Sequence, residues 1–326
     1  MKKIIILVIL LFLSSCAFQG AITYHIPEEN GPSIQAFFCP KDDCENRFLE
    51  WTASASSLDC ALYELNTPKM IERLKEKKAR VIIDKESLND KNKIINPITN
   101  KGYQLMHNKF CILNKASIWT GSTNPTTASF EKNNNNVVIV PSKYLAENYE
   151  AEFEELYKGT FGKGNKVKYP IIKYNNKIIE NYFCPEDDCG TEVVEELKAA
   201  KQEILAMTFS FTDRAIVNTL LEKAKNNVKI NVLFEKRRQN MDYAYTALQN
   251  KENIQLIPDT NPGIMHHKVF IIDEKTVVTG SMNPTQNGNE RNDENILILH
   301  DEDIAKQFIE EFERLTATNP NPAQTI

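Results

Sequence analysis

The chain has 326 residues, of which 41% are apolar and 25% are charged, and its formal net charge is −5. This composition is sufficient for one large domain or two domains of ordinary size, and it excludes a chain that is disordered as a whole. The negative charge also excludes a general electrostatic attraction to nucleic acid.

The first sixteen residues have the pattern of an export signal. Lys2 and Lys3 precede an apolar run at 4–13 that is too short to span a bilayer. The string Leu-Ser-Ser-Cys that ends at Cys16 resembles the cleavage box of bacterial lipoproteins, in which the cysteine carries a lipid. We therefore predict that residues 1–16 form a signal peptide, and that a lipid on Cys16 anchors the exported protein to a cell membrane or envelope. The alternatives are a plain signal peptide, which would give a secreted protein, and an uncleaved anchor.

Two cysteine loops mark the beginnings of an internal duplication. FFCPKDDC contains Cys39 and Cys44, and YFCPEDDC contains Cys184 and Cys189. Disulfides persist outside the cytoplasm, and no histidine stands near either pair to complete a zinc site. Each pair is therefore predicted to form a local disulfide, with reduced thiols as the alternative.

The duplication divides the chain into two copies. Copy one is predicted at residues 33–158 and copy two at residues 177–316. Residues 159–176 are rich in Gly, Lys and Asn and are predicted to form a linker. Residues 317–326 are predicted to form a flexible tail.

Strand-like and helix-like patterns alternate within each copy. Short β-branched runs predict buried strands, and apolar residues at helical spacing predict helices, one of them capped by Asp213. Cys60 and Cys111 lie in apolar runs and are interpreted as buried core residues or as a third pair. The alternation predicts an α/β fold in which two sandwich halves are related by a pseudo-twofold axis. The predicted strands are 80–83, 137–140, 203–209 and 228–234, and the predicted helices are 142–158, 191–201, 213–225 and 301–315.

One longer string occurs in both copies with identical spacing. It reads MHNKFCILNKASIWTGSTNPT from Met106 and MHHKVFIIDEKTVVTGSMNPT from Met265. Residues two apart in a strand project to the same face, so the His and Lys of each copy are expected to enter one pocket. The Gly-Ser turn has backbone N–H groups and a hydroxyl that are suited to phosphate oxygens. The matched candidate residues are His107, Lys109, Asn114, Ser122 and Asn124 in copy one and His266, Lys268, Asp273, Ser281 and Asn283 in copy two.

The paired strings resemble the signature of the phospholipase D superfamily, which is His-x-Lys, four residues, Asp, six residues and Gly-Ser-x-Asn. The resemblance covers nearly all of the chain after the signal. It implies a phosphodiesterase that needs neither metal nor cofactor, in which one histidine forms a phosphohistidine and the other protonates the leaving oxygen and then activates water. It also implies that both motifs meet in a central cleft, so that a monomer is active.

The resemblance assigns roles to the other candidates. The non-bridging phosphate oxygens would be held by Lys109, Lys268, Asn124 and Asn283, with Ser122 and Ser281 assisting. A residue 28 positions after each histidine would orient its imidazole, and this predicts that Glu294 supports His266. Asn135 is the matching residue in copy one. Asp273 and Asn114 are also predicted to support the histidines of their copies. In the family the nucleophile lies in the first copy, which favours His107. The carboxylate of Glu294 favours His266 as the stronger base, so the choice stays open.

The sequence leaves alternatives for the substrate. Each copy is close in size to the minimal half of the family's small non-specific endonucleases, which favours a nuclease-like enzyme. A phospholipid hydrolase or transferase of the phospholipase D or cardiolipin type is the alternative, because a lipid on Cys16 would bring the site to lipid. A phosphodiester-binding protein with weak turnover is the third. Two basic clusters, 75–80 and 236–238, are predicted at matching places, as solvated surface or as a track for a phosphate backbone.

Overall fold

The computed structural model describes residues 26–317. The predicted signal peptide with Cys16 and residues 318–326 of the predicted tail lie outside the described residues. Within the described range the strands, in chain order, are β1 (Glu28–Glu29), β2 (Gln35–Cys39), β3 (Leu58–Leu62), β4 (Arg80–Ile83), β5 (Ile98–Thr99), β6 (Lys109–Leu113), β7 (Ser117–Gly121), β8 (Asn135–Val140), β9 (Ile171–Tyr174), β10 (Lys177–Cys184), β11 (Glu203–Thr208), β12 (Lys229–Phe234), β13 (Ile254–Pro258), β14 (Lys268–Ile272), β15 (Thr276–Gly280) and β16 (Glu294–His300).

The strands form two sheets, one for each copy. Copy one has the order β2-β8-β7-β6-β3-β4-β5, and copy two repeats it as β10-β16-β15-β14-β11-β12-β13. In both sheets the last three strands run parallel to each other, while the strands that carry the motifs pair antiparallel with their neighbours. The same strand order in both copies confirms the predicted duplication and the α/β fold class.

Helices cover the sheets and separate their strands. The described helices are α1 (Cys44–Trp51), α2 (Pro68–Glu76), α3 (Thr127–Glu131), α4 (Lys143–Tyr157), α5 (Cys189–Ala199), α6 (Arg214–Lys225), α7 (Tyr243–Leu248), α8 (Gln286–Glu290) and α9 (Glu302–Ala317). Three short 3-10 turns occupy Lys85–Ser87, Asn92–Ile95 and Lys236–Arg238. No helix within residues 26–317 is long and apolar enough to cross a bilayer.

Most predicted elements are found within one or two residues of their predicted bounds. The Asp213 carboxylate accepts the Ile216 N–H at 3.0 Å and caps α6, as predicted. The linker prediction is wrong in part, because β9 lies inside it and pairs with β10 and with β1. Residues near the start of the described chain therefore extend the sheet of copy two.

One apolar cluster joins the two halves. It contains the inner-facing side chains of both sheets together with those of α4 and α9, and a further cluster fills the outer side of each copy. The two motif strands, β6 and β14, are buried along their whole length because both faces are covered. This burial fixes the positions from which the motif side chains project.

Three disulfides are present in the described chain. Cys39–Cys44 and Cys184–Cys189 close the two predicted loops. The third pair, which the sequence left as an alternative to two buried thiols, also forms: Cys60 in β3 is paired with Cys111 in β6, 51 residues later. These two residues are direct register partners in neighbouring strands, so their side chains lie side by side.

The Cys60–Cys111 bridge is expected to contribute most to stability, because it closes the longest loop. Replacing both residues by Ala is expected to lower the free energy of unfolding by about 4 kcal/mol, against about 2 kcal/mol for the Cys39 and Cys44 pair. Urea unfolding of the two double variants under oxidising conditions measures the difference. Equal losses would contradict this account of the bridges.

Candidate active site

The two motifs meet because a backbone hydrogen bond joins the segment before each motif strand to the other copy. The His107 N–H donates to the Asp293 carbonyl at 2.9 Å, and the His266 N–H donates to the Asn134 carbonyl at 2.9 Å. These bridges lie just before β6 and β14, on the segments that carry the histidines. As predicted, the pseudo-twofold arrangement brings both His-x-Lys pairs to one place.

His107 is supported by a carboxylate from the other copy. Its Nδ1 lies 2.8 and 2.7 Å from the two carboxylate oxygens of Glu294, which is fully buried. Burial raises the pKa of Glu294 to about 8. Burial, together with the positive charges of Lys109 and Lys268, lowers the pKa of His107 well below its usual value. When Glu294 is ionised it accepts the Nδ1–H of neutral His107, which leaves Nε2 with a free lone pair.

His266 is supported by an amide. Its Nδ1 lies 2.8 Å from Oδ1 of Asn135 and 3.1 Å from the backbone oxygen of Ser122. Both partners are neutral acceptors, so they fix the same tautomer as in His107 without adding negative charge. Burial and the two site lysines lower the pKa of His266 as well.

The predicted pairing of Glu294 with His266 is therefore wrong. Each supporting residue follows the histidine of its own copy by 28 positions, but it orients the histidine of the other copy. The bridge between His107 and Asp293 places Glu294, the next residue, opposite copy one. Of the two supporting residues, Glu294 and Asn135, only Glu294 can ionise, and it contacts His107.

Both motif serines are occupied by contacts within the protein. Ser281 Oγ donates to Glu294 at 2.7 Å, and Ser122 Oγ donates to Asn135 at 3.2 Å. Their backbone N–H groups bond to Asn295 and Asn136 carbonyls. The prediction that these serines hold phosphate oxygens is therefore corrected, because they position the residues that orient the histidines.

The glycine before each serine is required by close packing. Gly121 has a φ of +144°, and a Cβ there would lie 2.4 Å from the Asn136 backbone oxygen. No other residue type fits this approach between the end of β7 and the start of β8.

The lysines lie beside the histidines of their own copies. Lys109 Nζ donates to the His107 carbonyl at 2.7 Å, and Lys268 Nζ donates to the His266 carbonyl at 2.7 Å. Each ammonium has two further N–H groups to offer an anion. Both side chains are almost fully buried, and burial lowers the pKa of Lys109 to about 7 and that of Lys268 well below its usual value.

This burial makes anion binding dependent on pH. A phosphodiester monoanion such as dimethyl phosphate stabilises the charged lysines, so its binding is expected to take up protons and to weaken as the pH rises from about 6 to 9. Calorimetric titration in buffers of different ionisation enthalpy measures the uptake, with Lys109→Met as the control that removes one proton acceptor. An affinity that is constant over this range would contradict the assignment.

Two aromatic walls were not predicted from the sequence. The Tyr63 ring lies 4.7 Å from the His107 ring and 5.1 Å from Lys109 Nζ. The Phe209 ring lies 5.1 Å from the His266 ring and 5.4 Å from Lys268 Nζ. Both residues directly follow equivalent strands, β3 and β11, and this shared position was the signal that could have identified them.

A buried polar network behind the histidines was also missed. Asn136 donates to Thr279 at 2.7 Å, and Thr120 donates to Asn295 at 2.9 Å, so each contact crosses between the copies. Asn295 also donates to Asn108 at 2.9 Å. Asn136 and Asn295 each directly follow a supporting residue, Asn135 or Glu294, so this network fixes the backbone that carries them.

Asp273 and Asn114 lie outside the site. The Asp273 carboxylate accepts the backbone N–H groups of Lys201, Gln202 and Glu203, and Asn114 accepts those of Ser56 and Ser57. Both residues begin the turn after the motif strand, at the end remote from the histidine. Their predicted support of the histidines is wrong, because they stabilise a turn.

Asn124 and Asn283 remain predicted phosphate ligands. The Oδ1 atoms of both are buried and have no hydrogen-bond partner in the described chain. Asn124 Nδ2 donates to the Glu64 carboxylate at 3.3 Å. Only the Nδ2 group of each side chain can donate to a phosphate oxygen, since Oδ1 is an acceptor.

The two basic clusters do not match in space. Residues 75–79 precede β4 and Arg80 begins it, at the end away from the site, where Arg80 is paired with Asp59 and Glu154. The 236–238 cluster follows β12 at the site end, where the Arg238 guanidinium lies 5.3 Å from the Phe209 ring. Its counterpart in copy one is Lys85–Ser87, so the predicted correspondence is wrong.

Two clusters in the described chain have donor atoms close enough to hold a metal ion. They are Glu180 with Glu196 and His300, and Glu152 with Glu155 and Glu186. Neither contains a motif residue, so the chemistry of the cleft is derived from its histidines and lysines.

Known proteins share both the sequence pattern and the fold. A family model described as cardiolipin synthase, PLD-like domain, matches residues 50–157 and 193–316. A phospholipase D from Rickettsia prowazekii is 30% identical over 154 residues, which are 46% of this chain and 74% of that protein. A human mitochondrial cardiolipin hydrolase is 30% identical over 125 residues, which are 38% of this chain and 50% of that protein. The structure of phosphatidylserine synthase from Haemophilus influenzae shares the fold, with a TM-score of 0.63 and 10% identity over 87% of this chain and 86% of that one.

Proposed function

The chain belongs to the phospholipase D superfamily and is a phosphodiesterase, and we propose that it cleaves phosphodiesters through a phosphohistidine formed on His107. The observation that carries this assignment is the contact between His107 Nδ1 and Glu294. A carboxylate at Nδ1 raises the nucleophilicity of Nε2 and stabilises the cation that forms when Nε2 is phosphorylated. The position of the nucleophile in the family and the contact with Glu294 therefore both favour His107.

In the first step, His107 Nε2 attacks phosphorus and the bond from phosphorus to the leaving oxygen breaks. His266 takes up a proton at Nε2 when the phosphodiester anion binds, because the negative charge stabilises the imidazolium, and it gives this proton to that oxygen. Because Asn135 carries no charge, it does not stabilise protonated His266 as a carboxylate would, so protonated His266 remains a good acid. Lys109 and Lys268 offset the charge of the non-bridging oxygens. In the second step, His266 takes a proton from water, the water oxygen attacks phosphorus, and the bond to His107 breaks.

We propose a phospholipid as the substrate. This proposal is supported by the similarity to proteins named phospholipase D and cardiolipin hydrolase. Nucleic acid, which the sequence favoured, is the second candidate, because the Arg238 guanidinium over the Phe209 ring forms a cationic and aromatic edge that suits a nucleotide.

The test uses the chain that begins after Cys16, in excess chelator, with phosphatidylcholine or cardiolipin vesicles, single-stranded DNA and RNA. Headgroup release from vesicles that is absent in His107→Ala is the expected result. Cleavage of nucleic acid alone would replace phospholipid by the second candidate, and no turnover of any substrate would contradict the proposal.

We also propose that the chain is exported, anchored through a lipid on Cys16, and active as a monomer. Both motifs lie in one chain, which supports activity without a partner copy. Labelled palmitate is expected to be incorporated into the exported protein and not into the Cys16→Ala variant. Active protein that elutes only as a dimer would contradict the monomer.

A further inference from the structure

The loops after β4, β5 and β12 begin at the edge of the sheets where the site lies. In copy one, Leu62 pairs with Ile83 and Ile83 pairs with Thr99, so β3, β4 and β5 end at one edge. The residue after Leu62 is Tyr63, the wall beside His107. In copy two, Thr208 pairs with Phe234, and Thr208 leads directly to Phe209. Loops that follow these strands therefore begin at the same edge as the site.

These loops carry nearly all of the exposed large apolar side chains of the described chain. The exposed fractions are 37% for Leu88, 58% for Ile94, 102% for Tyr103 and 68% for Met241. The fifth such residue, Ile26, is the first described residue. Leu88 and Ile94 lie between β4 and β5, Tyr103 follows β5, and Met241 follows β12. Single exposed apolar residues are ordinary on a protein surface, but their concentration around one opening is not.

The same loops are basic although the chain is acidic. Residues 85–103 and 236–241, which we call the entrance surface, contain seven Lys or Arg and two Asp or Glu, whereas the whole chain has a net charge of −5. Two of the arginines, Arg237 and Arg238, pair with the bordering Glu235 and Asp242, so the excess positive charge lies mainly on the lysines. Lys85 is held across the loop, where its ammonium donates to the Gly102 carbonyl and lies 5.7 Å from the Tyr103 ring. Arg237 donates to the Pro262 carbonyl at 2.7 Å. The exposed apolar side chains therefore lie beside positive charges, on loops that are held in place by hydrogen bonds.

We infer that the entrance surface docks onto an anionic lipid bilayer, so that the cleft opens directly onto the membrane. Aliphatic tips such as Leu88, Ile94 and Met241 gain free energy by entering the acyl region, while the lysines and arginines bind lipid headgroups. Aliphatic side chains offer little to a nucleic acid, whose bases stack on aromatic rings. This inference rests on the proposed phospholipid substrate and names the surface that reaches it.

The first test measures vesicle binding, which requires no turnover. The chain from Ala17, which contains every described element, is sedimented with phosphatidylcholine vesicles that contain or lack phosphatidylglycerol. Replacing Leu88, Ile94, Tyr103 and Met241 together by Ser is expected to weaken binding roughly 10- to 100-fold. Hydrolysis of a water-soluble diester, bis(p-nitrophenyl) phosphate, is expected to stay unchanged, because none of the four side chains touches the histidines.

A charge-reversal pair gives a matched control that keeps the apolar tips. Lys91→Glu with Lys93→Glu changes the entrance surface, and Lys75→Glu with Lys78→Glu makes the same change at the opposite end of the sheet. Only the first pair is expected to remove the preference for phosphatidylglycerol. If both pairs act equally, or if the Ser variant binds vesicles as tightly as the parent, the inference is overturned. Loss of DNA binding with unchanged vesicle binding would assign the surface to nucleic acid.

Failure of the catalytic proposal and failure of the docking surface give different results. If neither diester nor vesicle is hydrolysed but the Ser variant loses vesicle binding, the surface stands and the catalytic proposal fails. If the parent hydrolyses diester and vesicles but the Ser variant keeps full activity on vesicles, the catalytic proposal stands and the docking surface fails.

Discussion

Replacing His107 by Ala is expected to abolish phosphodiester hydrolysis to within the background of the assay, a loss of at least about 10⁴-fold. The attacking Nε2 is removed, and His266 lacks the carboxylate that would let it act instead. Rapid-mixing kinetics on a chromogenic diester measure the first turnover as well as the steady state. Because the cleft would remain open, dimethyl phosphate is expected to bind to the variant, and this binding serves as the folding control.

The matched variant, His266→Ala, is expected to behave differently. It keeps the nucleophile but lacks the group that activates water, so a diester with a good leaving group is expected to give a burst of one product equivalent and then almost no further turnover. A burst in His107→Ala instead would exchange the roles of the two histidines.

Replacing Glu294 by Gln is expected to slow phosphorylation of the enzyme roughly 10²- to 10⁴-fold while substrate affinity changes little. The amide keeps the shape of the side chain but removes the charge that supports His107 across the copies. The equivalent contact in the other half provides the control: Asn135→Ala removes only a neutral acceptor from His266 and is expected to have a smaller effect on the first step. Equal losses in the two variants would remove the distinction between the two supports.

The pH dependence of the first step follows from the same carboxyl group. Burial raises the pKa of Glu294 to about 8, so below that pH the group is protonated and cannot accept the His107 Nδ1–H as a carboxylate. At saturating substrate, where the bound anion keeps the lysines and His266 protonated, the single-turnover rate is therefore expected to rise as the pH increases through about 8 and then to level. Glu294→Gln is expected to lose this rise, since Gln does not titrate.

Much of the fold could be predicted from the sequence because the duplication is visible in it. Two strings with identical spacing fix two equivalent strands, and the helix capped by Asp213 follows from local chemistry. β9 could not be predicted from local composition, because it forms by pairing with β1 and β10. The Cys60–Cys111 pair likewise depends on the register of β3 against β6.

The two His-x-Lys pairs were expected to meet and the structure brings them together, whereas several contacts around them were not predicted. Spacing along the chain indicated that Glu294 would orient the histidine of its own copy. The structure shows the reverse, because the bridge at Asp293 joins the two copies just before Glu294. Relations within a copy can be inferred from a repeated string, whereas relations between copies depend on how the two sheets pack. The same limit applies to Asn136 and Asn295, whose contacts cross between the copies.

The most direct test of the central claim is to locate the covalent phosphate. His266→Ala is mixed with a diester that leaves a labelled phosphoryl group, quenched in alkali to preserve phosphohistidine, digested, and mapped by mass spectrometry. The account predicts the label on the peptide that contains His107, and its loss in the double variant with Glu294→Gln at the same short time. A label on any other peptide, or no label despite a product burst, would contradict the account.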